Sequence, residues 1–177
     1  MVSLRCLLRN VPDQLPLFLL FKISLESGVF PDVWKLGFIN PNCKSGNNKL
    51  VSNYRPVTIL STIPKLFEKL VLDKISTQLN RIIVNNQHGF VKGRSIITNL
   101  LNLSHDVNES LKANKQMDII YFDYSKAFDT VDHSLLVKKL HAWVIRGLLL
   151  NWIKSYLENR QLMVRINSSI SNPIWAS

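Results

Sequence analysis

The sequence has little cysteine, since Cys6 and Cys43 are the two thiols among 177 residues. Two cysteines cannot build the disulfide framework that supports many small secreted domains, and these two do not form the C-x-x-C spacing of a zinc site. Their scarcity excludes a disulfide-rich scaffold and favours an intracellular protein, in the nucleus or the cytoplasm.

The sequence also lacks an apolar run that could cross a membrane. The stretch Leu15–Leu25 is very apolar, but it contains Pro16 and Lys22 within 11 residues. A spanning helix needs about 20 apolar residues. We interpret this stretch as a buried helix, and we expect neither a secretory signal nor a membrane partner.

Acidic residues are scarce as well, because 12 Asp and Glu stand against 22 Lys and Arg, which gives a net charge of +10. Residues 35–74 hold seven basic and two acidic side chains, and residues 138–165 hold six and one. Between them, residues 106–132 carry six of the twelve acids. This pattern fits a metal-dependent enzyme that acts on nucleic acid. Ordinary solvated helix faces explain it equally well, so charge alone leaves the function open.

One run carries the strongest chemical signal: D-I-I-Y-F-D-Y-S-K-A-F-D-T-V-D-H, from Asp118 to His133. The apolar residues Ile119–Phe122 predict a strand that is buried on both faces. They lead directly into Asp123. An unpaired carboxylate at the end of a buried strand is costly, so it needs a cation or hydrogen-bond donors. Asp123 is therefore the first candidate metal ligand.

Three further residues allow a functional and an ordinary interpretation. Lys44 and Arg55 can offset phosphate charge, although each taken alone is more often plain surface charge. Phe128 can pack under the sugar of a nucleotide, although a core aromatic at the start of a short helix is the ordinary interpretation. Other nucleophilic or metal chemistries are poorly supported, because no G-x-S-x-G motif occurs and the four histidines show no ligand-like spacing with Cys or acidic residues.

Periodicity and turn residues predict a mixed α+β fold. Gly28 is expected to end the first helix, and Ser95 is expected to cap a later one. The predicted elements, in chain order, are helix Leu15–Ser27, strand Lys35–Pro41, strand Tyr54–Leu60, helix Pro64–Leu79, helix Ile96–Leu111, strand Asp118–Asp123, helix Leu135–Trp143, helix Leu148–Asn159, strand Gln161–Asn167, a turn over Ser168–Asn172 and a return strand over Pro173–Trp175.

Taken together, several segments resemble the reverse transcriptases of non-LTR retrotransposons of the jockey and LINE-like kind. In the family's order they are V-S-N-Y-R-P-V-T-I-L-S-T-I-P-K-L-F-E-K-L at Val51–Leu70, Q-H-G-F-V-K-G-R-S at Gln87–Ser95, the run Asp118–His133, and L-L-N-W-I-K-S-Y-L-E-N-R-Q at Leu149–Gln161. With Phe30–Lys35 added, the resemblance covers nearly everything from about residue 15 onward.

The resemblance implies a partial right-hand polymerase fold. Residues 1–14 are expected to be an N-terminal extension, residues 15–115 a helix-rich fingers region, and residues 116–177 the beginning of an antiparallel palm sheet, without a thumb. The family's next motifs, G-x-P-Q-G and Y-x-D-D, do not occur in this sequence. We therefore expect an N-terminal fragment of the polymerase that ends in mid-hairpin and is inactive by itself.

The resemblance also implies roles for individual residues. Asp123 matches the first catalytic metal ligand, with Mg²⁺ as the metal and the backbone carbonyl of Tyr124 assisting. Phe128 matches the aromatic that discriminates between sugars. Arg55 matches the fingers arginine that contacts the triphosphate, and Lys44 lies near the basic position at the fingers tip. The loop that helps to hold the template is matched by Gly89–Arg94, which contributes Gly89, Lys92 and Arg94.

The partners implied by the resemblance are an RNA template, a DNA primer and deoxynucleoside triphosphates, within a ribonucleoprotein of the element RNA. Three alternatives stay open. The chain can be a non-catalytic remnant that binds RNA or DNA, a protein similar to an intron maturase, which shares the polymerase fold, or a pseudogene product that does not fold stably.

Overall fold

A computed structural model of the chain describes residues 16–44, 46–125, 127–143 and 145–176. The described residues form two compact units. The first unit is drawn from Met1–Ser76 and His133–Ser177, and the second unit is Thr77–Asp132. The predicted extension over residues 1–14 lies outside the described residues.

The described part of the chain mixes helices with a small sheet, which confirms the predicted combination of the two kinds of element. Short 3₁₀ turns occur at Asp32–Trp34 and Val51–Asn53. The α-helices are α1 (Pro16–Ser27), α2 (Thr62–Leu79), α3 (Ile96–Lys112), α4 (His133–Trp143) and α5 (Leu148–Leu157), and the strands are β1 (Leu36–Cys43), β2 (Tyr54–Ile59), β3 (Gln161–Ile166), β4 (Ser169–Ile170) and β5 (Ile174–Trp175). None of these helices is both long and apolar enough to cross a membrane.

Strand β1 lies at the centre of the sheet. It pairs antiparallel with β2, from Phe38↔Ile59 to Cys43↔Tyr54, so the two strands predicted in this region form a hairpin. On its other side β1 pairs in parallel with β3, a contact between distant parts of the sequence. Strands β4 and β5 both pair antiparallel with β3.

The turn after β3 comes earlier than predicted. Asn167 has a φ of +53°, and β4 already begins at Ser169, whereas the sequence placed a turn over Ser168–Asn172. Asparagine tolerates the left-handed conformation, so it closes the short hairpin at that point. The predicted return strand is present as β5, where Ile174 and Trp175 pair with β3.

Gly28 ends α1, as the sequence predicted. Its φ is +67°, a conformation that favours glycine. A Cβ atom there would lie 3.2 Å from the backbone oxygen of Leu148 and 3.2 Å from the Cβ of Asn151. The end of α1 therefore approaches α5 at a distance that a larger residue would disturb.

The core of the first unit is a cluster of aromatic rings around Phe67, whose exposed fraction is 0%. The ring of Phe21 on α1 stacks on Phe67 with centroids 4.3 Å apart. Trp34 and Trp152 meet Phe67 edge-on at 5.9 and 5.1 Å. Phe30 in turn contacts Trp152 edge-on at 5.3 Å. Such geometries add to the hydrophobic gain of burying large rings.

Polar contacts fix the angle between α1 and α5 within this core. The indole Nε1 of Trp152 donates to the hydroxyl of Ser24 at 3.0 Å, and that hydroxyl donates to the carbonyl of Val29 at 2.6 Å. The amide of Phe30 donates to the hydroxyl of Ser155 at 3.1 Å. The polar atoms that α1 and α5 bring into the core are therefore satisfied.

In the second unit no described residue is buried. Helix α3 carries several leucines and isoleucines, but it contains no buried residue. The predicted strand Asp118–Asp123 is wrong, because no described strand pairs with this segment and Tyr121 and Phe122 are 81% and 85% exposed. A strand needs a hydrogen-bonded neighbour, and an apolar run needs a second layer to bury it.

We expect Phe67→Ala to lower the free energy of unfolding by about 3–5 kcal/mol, since it removes the ring on which the aromatic cluster converges. Leu72→Ala on the same helix is the matched control, because Leu72 is 61% exposed, and it should cost less than about 1 kcal/mol. Urea unfolding followed by tryptophan fluorescence measures both, since all four tryptophans lie in the first unit. Equal losses would contradict this view of the core.

Glu68 carries a carboxyl group at the edge of the same core. Burial raises its pKa above 4.5, although a hydrogen bond from Tyr156 and the charges of Arg160 and Lys65 act in the opposite direction. Its Oε1 atom is buried without a hydrogen-bond partner. The ionised form is therefore less favourable in the folded protein than in the unfolded chain.

This shift makes the stability of the first unit depend on pH. A carboxyl with a raised pKa stabilises the fold below its unfolded pKa, near 4.5, and this contribution is lost as the pH rises through the higher folded value. Glu68→Gln should therefore raise the melting temperature at pH 7 relative to the parent protein, and the gain should vanish below pH 4.5. Thermal melts across this range measure it, with Glu26→Gln on the exposed side of α1 as the control. A gain that is independent of pH would refute this assignment.

Candidate active site

The residues that the sequence singled out are distributed over both units. Lys44 and Arg55 belong to the first unit. The second unit holds Gly89, Lys92, Arg94, Asp123, Tyr124 and Phe128.

Lys44 and Arg55 lie at the far end of the β1–β2 hairpin. The amide of Lys44 donates to the carbonyl of Asn53 at 2.9 Å, which extends the strand pairing by one step. Arg55 lies opposite Asn42. Because paired residues share a face of the sheet and the side-chain period is two, Lys44 and Arg55 belong to the same face of the hairpin. Both are exposed, so two positive charges are available to an anionic ligand.

The loop at the tip of this hairpin is held by its own side chains. The amide nitrogen of the Asn53 side chain donates to the carbonyl of Asn47 at 2.9 Å. The hydroxyl of Tyr54 donates to the carbonyl of Asn48 at 2.8 Å. These bonds satisfy two backbone carbonyls of the loop, and they give the basic tip a defined shape.

Asp123 and Tyr124 lie in the irregular segment that follows α3, and both side chains are exposed. In the part of the chain that the structure describes, no three His, Cys, Asp or Glu side chains come together as a metal site. Asp118, in the same segment, accepts a hydrogen bond from the side chain of Gln116 at 2.9 Å. Among the described residues, Asp123 therefore does not belong to a cluster of three side chains that could hold a metal ion.

Arg94 closes the loop that precedes α3. Its Nη1 atom donates to the carbonyls of Val84, Asn85 and Gln87 at 3.0, 2.8 and 2.6 Å. Hydrogen bonds from a guanidinium are stronger than neutral ones. The sequence suggested a template contact for Arg94, and nothing in its pattern indicated that this side chain binds its own loop.

His88 ties the same loop to α3. Its Nδ1 atom lies 2.7 Å from the hydroxyl of Thr98, and its Nε2 atom lies 3.2 Å from the side-chain nitrogen of Asn102. Since the side-chain nitrogen of Asn102 can only donate, Nε2 accepts and Nδ1 carries the proton. The predicted cap at Ser95 is confirmed, because Ser95 and Thr98 form a reciprocal capping box.

Between these two attachments the loop presents Phe90. Its φ is +61°, a conformation that costs a side chain about 1–2 kcal/mol. A hydrogen bond to a charged group contributes about 1.5–3 kcal/mol, so the bonds from Arg94 are sufficient to offset this strain. The ring of Phe90 meets the ring of Phe128 edge-on, with centroids 5.7 Å apart and planes at 90°.

This contact bears on the two interpretations of Phe128. Its ring is 78% exposed, so the interpretation as a core aromatic is wrong for this structure. The sequence contained no signal for its pairing with Phe90, because the two residues lie in different motifs.

Two other predicted site residues lie in the same loop as Phe90. Lys92 is exposed, and the carbonyl of Gly89 accepts from the side chain of Gln87 at 3.0 Å.

Comparisons with known proteins match the chain over most of its length. The family model for "Reverse transcriptase (RNA-dependent DNA polymerase)" matches residues 43–176. The chain is 32% identical over 163 residues to a probable RNA-directed DNA polymerase from transposon BS of Drosophila melanogaster, a match that covers 89% of the chain. It is 31% identical over 172 residues to the corresponding protein from the X-element of the same species, with 93% of the chain covered.

A third relative is the RNA-directed DNA polymerase from mobile element jockey of Drosophila funebris, 31% identical over 162 residues and 89% of the chain. Each of these three matches covers 18% of the relative. The chain thus spans less than a fifth of the length of these curated relatives.

Proposed function

The chain belongs to the reverse transcriptase family of RNA-dependent DNA polymerases, and from that premise we propose that it is part of the polymerase region of a non-LTR mobile element. The family match over residues 43–176 carries this proposal, because it includes the whole run from Asp118 to His133. The relatives named for transposon BS, the X-element and jockey support the assignment to mobile elements.

The proposed reaction of the whole protein is the addition of deoxynucleotides to a DNA primer on an RNA template, within a ribonucleoprotein of the element RNA. We assign residues 15–115 to the fingers and residues 116–177 to the palm. Mg²⁺ would stabilise the charge that develops on the phosphates. Asp123 and the carbonyl of Tyr124 would supply oxygen ligands to the metal.

The remaining assignments concern the nucleotide and the template. Lys44 and Arg55 would bind the triphosphate, because they place two exposed positive charges on one face of the hairpin. Phe128 would contact the sugar through an exposed ring. Lys92 in the loop that starts at Gly89 would contact the template backbone. Phosphate contacts of this kind position a nucleic acid without reading its sequence.

A chimera tests the polymerase assignment. Residues 43–176 of this chain replace the matching segment of the jockey polymerase of Drosophila funebris, and primer extension on an RNA template is measured with Mg²⁺. We expect extension that is lost on Asp123→Asn, since the amide removes the metal-binding charge. Asp118→Asn, in the same segment, should keep it. A chimera that binds the RNA–DNA hybrid but extends no primer contradicts the proposal.

The isolated chain should not extend a primer. A single carboxylate at Asp123 cannot hold the two ions on which phosphoryl transfer of this kind depends. Templated primer extension by the purified chain with Mg²⁺ measures this directly. Extension that disappears on Asp123→Asn would show that the expectation is wrong.

The isolated chain is also proposed to bind RNA without catalysis, and its net charge of +10 and its exposed basic hairpin favour this second function. The logarithm of the binding constant should fall linearly with the logarithm of salt concentration. Lys44→Ala and Arg55→Ala should each reduce that slope by about 1.

Lys112→Ala is the matched control for these two variants. It removes the same charge, but Lys112 lies 3.0 Å from Glu109 in an ion pair on α3, so the slope should stay unchanged. An equal effect of all three substitutions would mean that binding follows net charge and that the hairpin has no special role.

A further inference from the structure

The loop Asn85–Ser95 contacts a second motif that lies far from it in the sequence. Phe90 belongs to the glycine-containing loop and Phe128 to the segment after Asp123, and their rings meet edge-on at 5.7 Å. Both residues belong to the second unit. If Phe128 contacts the sugar, then Phe90 borders the same position.

Burial does not hold this pair together. Phe90 is 96% exposed and Phe128 is 78% exposed, so little apolar surface is removed from water where the rings meet. The position of the Phe90 ring must therefore come from its backbone. That backbone has a φ of +61°, which is an outlier for a bulky residue and persists only where the surrounding structure determines it.

Arg94 supplies the missing constraint. One guanidinium nitrogen binds three carbonyls, at Val84, Asn85 and Gln87, and so fixes the segment just before Phe90. The amide of Gln87 donates to the carbonyl of Val84 at 3.1 Å, and the amide of Arg94 donates to that of Val91 at 3.1 Å. Phe90 is thus enclosed between two turns that Arg94 connects.

We propose that Arg94 is a positioning residue, which shapes this loop so that Phe90 meets Phe128, and that it is not a ligand of template phosphate. The importance of Phe128 rests on the proposed function, but the contact itself does not. Lysine should not replace arginine here, because its ammonium nitrogen lies one bond closer to the backbone than the Nη1 atom that binds the three carbonyls.

Nuclear magnetic resonance of the full chain tests this proposal. The wild-type protein should show a nuclear Overhauser effect between the Phe90 and Phe128 rings. Arg94→Lys should abolish it and speed hydrogen exchange of the Gln87 amide by about tenfold or more. Arg81→Lys is the control, since it is the same substitution at an exposed residue of the same unit. It should change neither the nuclear Overhauser effect nor the hydrogen exchange of the Gln87 amide.

The salt dependence of RNA binding separates the two roles of Arg94. Lys92→Ala should lower the slope by about 1 and keep the ring contact. Arg94→Ala should lose the ring contact and leave the slope unchanged. The proposal is overturned if the wild type shows no ring contact, if Arg94→Lys preserves the contact and the exchange rate, or if Arg94→Ala lowers the slope while the rings stay together.

A wild-type chain whose RNA binding does not depend on salt would contradict the nucleic-acid function proposed above. The ring contact and the exchange rate of the Gln87 amide would still decide the role of Arg94, because neither measurement requires RNA. Loss of both on Arg94→Lys supports the positioning role in that case, and retention of both refutes it.

Discussion

The stacking of Phe21 on Phe67 is the contact on which the first unit depends. Around it, Trp34 and Trp152 close the same core. Trp34 ends a 3₁₀ turn just before β1, and the next residue, Lys35, offers its carbonyl to the amide of Gln161 at the start of β3. The aromatic core thereby fixes where strands β1 and β3 begin. Because the β1–β2 hairpin extends from the start of β1, the placement of its basic tip also depends on the core.

The second unit is held by a different kind of interaction. Its described residues bury no side chain, and its defined geometry comes from Arg94, His88 and the capping box at Ser95. Hydrogen bonds in exposed positions contribute less than a packed core and open more easily. The segments of this unit that are proposed to contact the sugar and the template are therefore shaped locally, at low stability. Binding segments are commonly drawn from such regions, since they must adapt to a ligand.

Features with a local cause were predictable from the sequence. Gly28 ends α1 because its backbone conformation is open to glycine, and Ser95 begins α3 because its hydroxyl caps the first turn. The prediction of a strand over Asp118–Asp123 was wrong, because pairing depends on a neighbour that the pattern does not specify. The parallel pairing of β1 with β3 could not be predicted for the same reason, since it joins residues that are far apart in the chain.

The same distinction between local and long-range features applies to the candidate site. The family could be recognised from the sequence, together with residues that bear charge or an aromatic ring, such as Asp123, Arg55 and Phe128, because residue type and order are enough to match a motif. The folded structure was needed to show that Arg94 binds its own loop and that Phe90 meets Phe128. These outcomes depend on which carbonyls and rings come within a few ångströms of one another. That proximity is a property of the folded backbone, and no spacing in the sequence encodes it.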